Sequence, residues 1–90
     1  MPYILKQNRS KYDELVDQLV FFLGNDPVSA CGNVNYVVSS LMWKLFLKRR
    51  GYSTANSLVG VLECVKQELY RRQISPLEDE KIIENGDIEV

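Results

Sequence analysis

Carboxylate chemistry is the one kind of catalytic or metal-binding chemistry that these residues could support, and Glu63 is its centre. The chain has no histidine, so it lacks the commonest general base near neutral pH and the commonest transition-metal ligand. This excludes Ser–His, Cys–His and histidine-ligated zinc sites within one chain. Cys31 and Cys64 are too far apart in sequence for a C-x-x-C pair, and we expect both thiols to be reduced and half-buried.

Glu63 has polar neighbours at helical spacing. Tyr70 follows it by two helical turns on the same side, and a packed second helix could bring Asn35 to the same place. This cluster would be either a hydrogen-bonded buttress between two helices or a carboxylate with a perturbed pKa that binds a hard cation or performs catalysis. We favour the buttress because buried polar groups are usually paired for structural reasons. We therefore assign no catalytic, metal-binding or cofactor-binding residue, and a Glu63-centred enzyme or metal-binding protein is the lesser alternative.

Four cations gather where the second predicted helix ends: Lys44, Lys48, Arg49 and Arg50. The helix dipole favours positive charge at this end, at about 0.3–1 kcal/mol for each residue. Together with Trp43 these cations could also contact phosphates and stack against bases. However, a formal net charge of -1 gives no global attraction to nucleic acid, and no known nucleic-acid-reading motif occurs. Nucleic-acid binding is therefore an alternative that we do not favour.

The second predicted helix, from about Asn33 to Arg50, is apolar on two sides. At about 100° per residue, one broad face contains Val34, Val37, Val38, Leu41, Met42 and Leu45. The other side contains Tyr36, Trp43 and Leu47, which we name the aromatic stripe. Large apolar patches left in water usually mark interaction sites. The stripe must be covered by the chain's own termini, by another copy or by a different protein, and we predict that it is an interface.

Apolar periodicity predicts a single mainly α domain over residues 1–90, with a core like that of a three-helix bundle. The first helix begins near Ser10 as its N-cap and ends at Gly24. The second begins at Asn33 and ends before Gly51. The third runs from Ser53 or Thr54 to Gln73 or Ile74, and its core stripe is Leu58, Val61, Leu62, Val65 and Leu69.

The C-terminal segment carries two competing signals. Ser75-Pro76-Leu77-Glu78 is typical of a capping box with proline in the first helical position, whereas Asn85-Gly86 between apolar residues is typical of a hairpin. We favour a short fourth helix to about Glu84, followed by a turn and a strand over residues 87–90. This strand could pair with residues 2–5, because an isolated strand would leave its backbone groups unpaired.

Several segments resemble a family of short uncharacterised bacterial and phage proteins. They are Met1-Pro2-Tyr3-Ile4, Asn35-Tyr36-Val37, Gly60-Val61-Leu62-Glu63-Cys64, Glu68-Leu69-Tyr70-Arg71-Arg72 and the stretch from Pro76 through Asn85-Gly86-Asp87-Ile88. The similarity spans nearly the whole chain. No motif in it is tied to a known reaction, so the resemblance implies no catalytic residue.

Membrane insertion and secretion are not expected from these residues. The first residues lack the apolar core of a signal peptide, and the most apolar run, residues 34–47, is too short to span a bilayer and contains Lys44. The sequence therefore predicts a cytoplasmic, non-enzymatic helical protein. We expect it to act through protein–protein contact, as a homo-oligomer or with another protein.

Overall fold

The computed structural model describes residues 3–89, which form helices joined by short connections. In chain order these are a 3₁₀ turn at Lys6–Asn8, α1 at Ser10–Leu23, α2 at Cys31–Lys48, α3 at Tyr52–Leu69, a π-helical segment at Tyr70–Ile74 and α4 at Ser75–Asn85. The predicted mainly α class is confirmed. The boundaries of several elements differ from the prediction; α2, for example, ends at Lys48 instead of Arg50, and α3 begins at Tyr52 instead of Ser53 or Thr54.

The start of α1 does not use Ser10 as its cap. Ser10 is already the first helical residue, and no side-chain hydrogen bond caps the helix. The preceding residue, Arg9, has a helical backbone (φ -91°, ψ -28°) because the 3₁₀ turn leads directly into it. Its carbonyl accepts hydrogen bonds from the amides of Tyr12 and Asp13 at 3.0 and 2.8 Å. The helix ends, as predicted, at Gly24, whose φ of +85° suits glycine.

The start of α2 lies two residues before the predicted Asn33, because Asp26 organises the chain ahead of it. The Asp26 carboxylate accepts hydrogen bonds from the Ser29 hydroxyl at 2.6 Å and from the Val28 amide at 3.2 Å. These bonds lower the pKa of Asp26, and the Ser29 hydroxyl is the largest cause. The turn over residues 27–30 then continues into Cys31 without a break. Ala30 within this turn is 5% exposed and is the one buried residue of the described chain.

The third and fourth helices form one continuous helical rod instead of being separated at Ser75. The predicted capping box is wrong, since no side-chain hydrogen bond caps α4 and both Ile74 and Ser75 have helical backbones. The Ser75 amide bonds to the Tyr70 carbonyl, which is the five-residue spacing of a π-helix. Pro76 has no amide hydrogen and its ring crowds the carbonyl of Arg72 in an α-helix. The π-helical segment lets the rod pass this proline.

The predicted terminal strands do not form in residues 3–5 or 86–89; Pro2 and Val90 lie outside the described residues. Gly86, with φ +84°, ends α4 by donating to the Ile82 carbonyl at 2.8 Å. At the other end of the chain, the Ile4 carbonyl accepts a hydrogen bond from Arg9 Nε at 2.8 Å. Within the described residues, no hydrogen bond joins the two terminal segments to each other.

The described chain is open. Its radius of gyration is 16.9 Å, against about 12 Å for a compact chain of this length. The α2 and α3 helices contact each other, whereas the chief contact of α1 is with the preceding 3₁₀ turn. Four side chains of the predicted α3 core stripe are consequently exposed, contrary to the prediction: Val61, Leu62, Val65 and Leu69. Among residues 3–89, no third helix packs over these side chains closely enough to bury them.

Candidate interaction surface

The aromatic stripe lies on the outside of α2 and is largely open to solvent. Tyr36, Trp43 and Leu47 are 74%, 68% and 62% exposed. The spacing of seven and then four residues places all three on one side of this straight helix. The terminal segments of the described chain do not bury the stripe. The first of the three coverings that the sequence left open, the chain's own termini, is therefore not found in residues 3–89.

A shallow groove runs over the stripe, and its floor is made of small side chains. It is lined by Tyr36, Ser39, Ser40, Trp43, Lys44 and Leu47 and has a volume of about 440 Å³. The two serines lie between the aromatic rings and leave a recess. Ser39 Oγ donates to Asn35 Oδ1 at 2.9 Å, which fixes that hydroxyl within its own helix. The recess has the size and the apolar walls to accept a side chain from outside.

Trp43 also contributes to a second, more apolar groove between α2 and α3. Met42, Trp43, Phe46, Ala55, Leu58, Val59 and Leu62 line it. The indole thus stands at the ridge between two grooves. Aromatic side chains in such central positions commonly dominate binding energy.

The basic end of α2, comprising Lys44, Lys48, Arg49 and Arg50, is exposed. Within residues 3–89 the ion pairs are Lys66–Glu63, Arg71–Glu68 and Lys81–Glu84, so none involves the basic end. Residues 27–62 contain these four cations and no Asp or Glu. Within residues 3–89, the four cations beside the aromatic stripe therefore have no ion-pair partner.

The structure does not join Asn35, Glu63 and Tyr70 by hydrogen bonds in the described part of the chain. Glu63 accepts a hydrogen bond from Gln67 at 3.2 Å and pairs with Lys66 at 3.6 Å, both on its own helix. Its side chain is about half exposed, and Tyr70 is also exposed. In this arrangement Glu63 is a solvated carboxylate of α3.

The acidic and sulfur side chains of the described residues are dispersed. Between residues 3 and 89, no three His, Cys, Asp or Glu side chains lie close enough together to hold a metal ion. Cys31 and Cys64 are free and exposed, which corrects the expectation that they are half-buried. The Cys31 thiol donates to the Pro27 carbonyl at 3.5 Å.

Comparison with known proteins places the chain in a family. Over residues 1–88 it matches the family described as "Domain of unknown function (DUF6899)". The chain belongs to this family. The resemblance to an uncharacterised family is confirmed in that respect. No curated protein and no solved structure gives a match, so function in this DUF6899 protein has to be argued from its surface.

One polar cluster was not predicted from the sequence. The Tyr3 hydroxyl donates to Glu68 Oε2 at 2.6 Å and accepts from the Arg72 guanidinium, which also lies 5.5 Å from the centre of the Tyr3 ring. Glu68 pairs in addition with Arg71 at 2.9 Å. Arg71 first, and then Tyr3, lower the pKa of Glu68. No local pattern indicates a cluster whose members are more than 60 residues apart.

A helix that crosses a membrane must be both long enough and apolar enough. None of the helices in residues 3–89 combines the length and the apolar composition required to cross a bilayer.

Proposed function

We propose that this protein acts through protein–protein contact, with the aromatic stripe as part of the contact surface. The exposed area carries the proposal. A compact monomer of 10.4 kDa would expose about 5,400 Å², whereas this chain exposes 8536 Å². Obligate interfaces bury about 2,000–5,000 Å² in total, half of it from each subunit. The excess of about 3,100 Å² over a compact monomer is therefore as large as an obligate interface requires.

Much of the exposed area is also apolar, which is unfavourable for a free chain in water. Burial of apolar side chains is the principal favourable term in folding, and the described residues bury Ala30 alone. Large apolar side chains on α1, α2 and α3 are exposed together. Assembly with other protein would remove them from water and supply the missing stabilisation. Binding, rather than catalysis, is then the activity of the surface.

Solution mass tests this proposal directly. Light scattering over a concentration series should show a defined assembly, and Trp43 fluorescence should shift to shorter wavelength as the assembly forms. Trp43→Asp should weaken the assembly about thirtyfold or more, as expected for a central aromatic residue, while the helical circular dichroism persists. Ile83→Asp is the matched control, because Ile83 is 85% exposed on α4, away from the stripe.

Two results would contradict the proposal. One is a monomer at every concentration with a shielded Trp43, since the single chain would then cover its own stripe. The other is loss of helical signal in Trp43→Asp without any earlier change in mass, which would make the indole a core residue.

Nucleic-acid binding is the second candidate function, because the four cations of the basic end have no ion-pair partner among residues 3–89. It predicts that the protein binds a mixed-sequence DNA or RNA oligonucleotide with an affinity that falls steeply as salt rises. Lys48→Ala should weaken this binding, and Lys66→Ala on α3 is the control.

We also propose that the protein is of bacterial or phage origin and acts in the cytoplasm of a bacterial cell. The sequence resemblance supports this part of the proposal.

A further inference from the structure

One side of α1 carries a row of three exposed residues, in which two carboxylates are followed by a phenyl ring. Asp13, Asp17 and Phe21 follow one another at four-residue spacing, so they lie along one side of the helix. All three are exposed, and Phe21 is 82% exposed. Neither aspartate forms an ion pair within residues 3–89.

A row with the same spacing lies on α2 beside the aromatic stripe. Ser40, Lys44 and Lys48 are again four residues apart, and Ser40 and Lys44 line the groove over the stripe. From the C-terminal end of α2 toward its N-terminal end, this row consists of Lys48, Lys44 and then Ser40, which lies in the recess of the groove. Read from the N-terminal end of α1, the other row presents two carboxylates and then a phenyl ring.

These two rows are complementary when the helices run antiparallel. Asp13 then meets Lys48, Asp17 meets Lys44, and Phe21 enters the recess at Ser40. Within one chain the chief contact of α1 is with the 3₁₀ turn, so the single chain does not make this pairing.

We propose that the partner of the aromatic stripe is a second copy of this chain, which docks the Asp13–Asp17–Phe21 row of its α1 antiparallel along α2. This inference rests on the proposed function. The exposed area supports it, because an excess of about 3,100 Å² per chain is enough for an obligate homodimer. Each chain carries both rows, so two copies exchange α1 contacts reciprocally, and the two aspartates of each copy pair with Lys44 and Lys48 of the other.

A charge exchange between two variants tests the pairing. The first variant is Asp13→Lys with Asp17→Lys, and the second is Lys44→Glu with Lys48→Glu. Alone, each places like charges at every contact and should weaken self-association about tenfold or more. Mixed in equal amounts, the two should form a heterodimer of wild-type affinity, because both reciprocal contacts then join opposite charges. Mass is read by sedimentation velocity at low salt.

The mixing step separates the contact from local effects on the helices. A lysine in the first turn of α1 or a glutamate in the last turn of α2 opposes the helix dipole, but mixing two chains does not repair that cost. Glu78→Lys with Asp79→Lys on α4 is the control that matches the change of charge, and it should leave the mass unchanged.

Phe21 and Phe22 provide a second, uncharged comparison. Both are 82% exposed and their rings touch edge to face, but they point about 100° apart around α1. Phe21→Ser should weaken self-association about tenfold or more. Phe22→Ser should change it less than about twofold, a difference that exposure alone does not predict.

The outcomes distinguish this inference from the proposed function. Restoration by mixing supports the pairing. If the wild type assembles but the charge variants keep its mass, or lose it without recovery on mixing, the pairing is overturned while protein–protein contact stands. A wild-type monomer at all concentrations overturns the second copy as partner. If that monomer also binds an oligonucleotide, the basic end serves nucleic acid instead.

Discussion

Tyr3 connects the N-terminal segment to the end of α3 through a single oxygen atom. Its hydroxyl donates to Glu68 and accepts from Arg72, so it lies between an anion and a cation. Hydrogen bonds to a carboxylate favour its charged form, and Arg71 and Tyr3 together lower the pKa of Glu68. A group with a lowered pKa in the folded state stabilises that state above its ordinary pKa. The contribution is lost as pH falls through the lowered value.

Tyr3→Phe should therefore raise the pKa of Glu68 toward its ordinary value. It should remain below that value, because the larger cause, Arg71, is unchanged. The loss of stability on acidification should accordingly be smaller than in the wild type and should be complete at a higher pH. Side-chain carbon NMR of Glu68 over a pH titration measures the shift, and Tyr12→Phe on α1 is the control. An unchanged Glu68 titration would show that Tyr3 does not bond to this carboxylate in solution.

Helices as elements could be predicted from the sequence, because apolar residues at helical spacing are a local signal. Their junctions could not all be predicted. Asp26 and Ser29, three residues apart, form a cap-like turn, whereas the prediction places the start of α2 at Asn33. Ser75-Pro76 has the composition of a helix start, but a π-helical segment absorbs the proline and the rod continues. The residue types at such a junction do not show whether the chain begins a new helix or continues the existing helix through a π-helical segment.

At the scale of the element, we expect the hydrogen bonds to Asp26 to stabilise α2, the helix that carries the aromatic stripe. Asp26→Ala removes the acceptor for Ser29 and Val28 and should lower the melting temperature by about 5 °C at neutral pH. Asp26→Asn, which retains an acceptor oxygen, should lose much less. Because hydrogen bonding lowers the pKa of Asp26, the difference between wild type and Asp26→Ala should persist above its ordinary pKa. It should shrink as pH falls through the lowered value.

Circular dichroism melting curves of the three proteins over a pH series provide the measurement. Equal melting temperatures for the wild type and Asp26→Ala at neutral pH would mean that the turn over residues 27–30 forms without this carboxylate.

At the scale of the whole molecule, the sequence predicted that the single helix core does not bury the aromatic stripe. It did not predict that most other apolar faces of the helices are exposed to solvent as well. Periodicity shows which side of a helix is apolar, and it carries no information on which helix lies opposite. The α3 core stripe illustrates this, since Val61, Val65 and Leu69 were expected to be buried and are exposed. The Glu63 cluster depended on the same unknown packing. Its three members remain on separate positions of α2, α3 and the π-helical segment.

An open chain that is stabilised by assembly should melt at a temperature that depends on its concentration. Unfolding then separates the copies as well as unfolding each one, so mass action favours the folded assembly as concentration rises. For a dimer of this length, each tenfold increase should raise the melting temperature by about 3–4 °C. Trp43→Asp should abolish this dependence, whereas Ile83→Asp should retain it. A wild type with cooperative melting at one temperature over three decades of concentration would show that the single chain folds alone. The exposed faces would then be sites for a partner that joins a fold already stable without it.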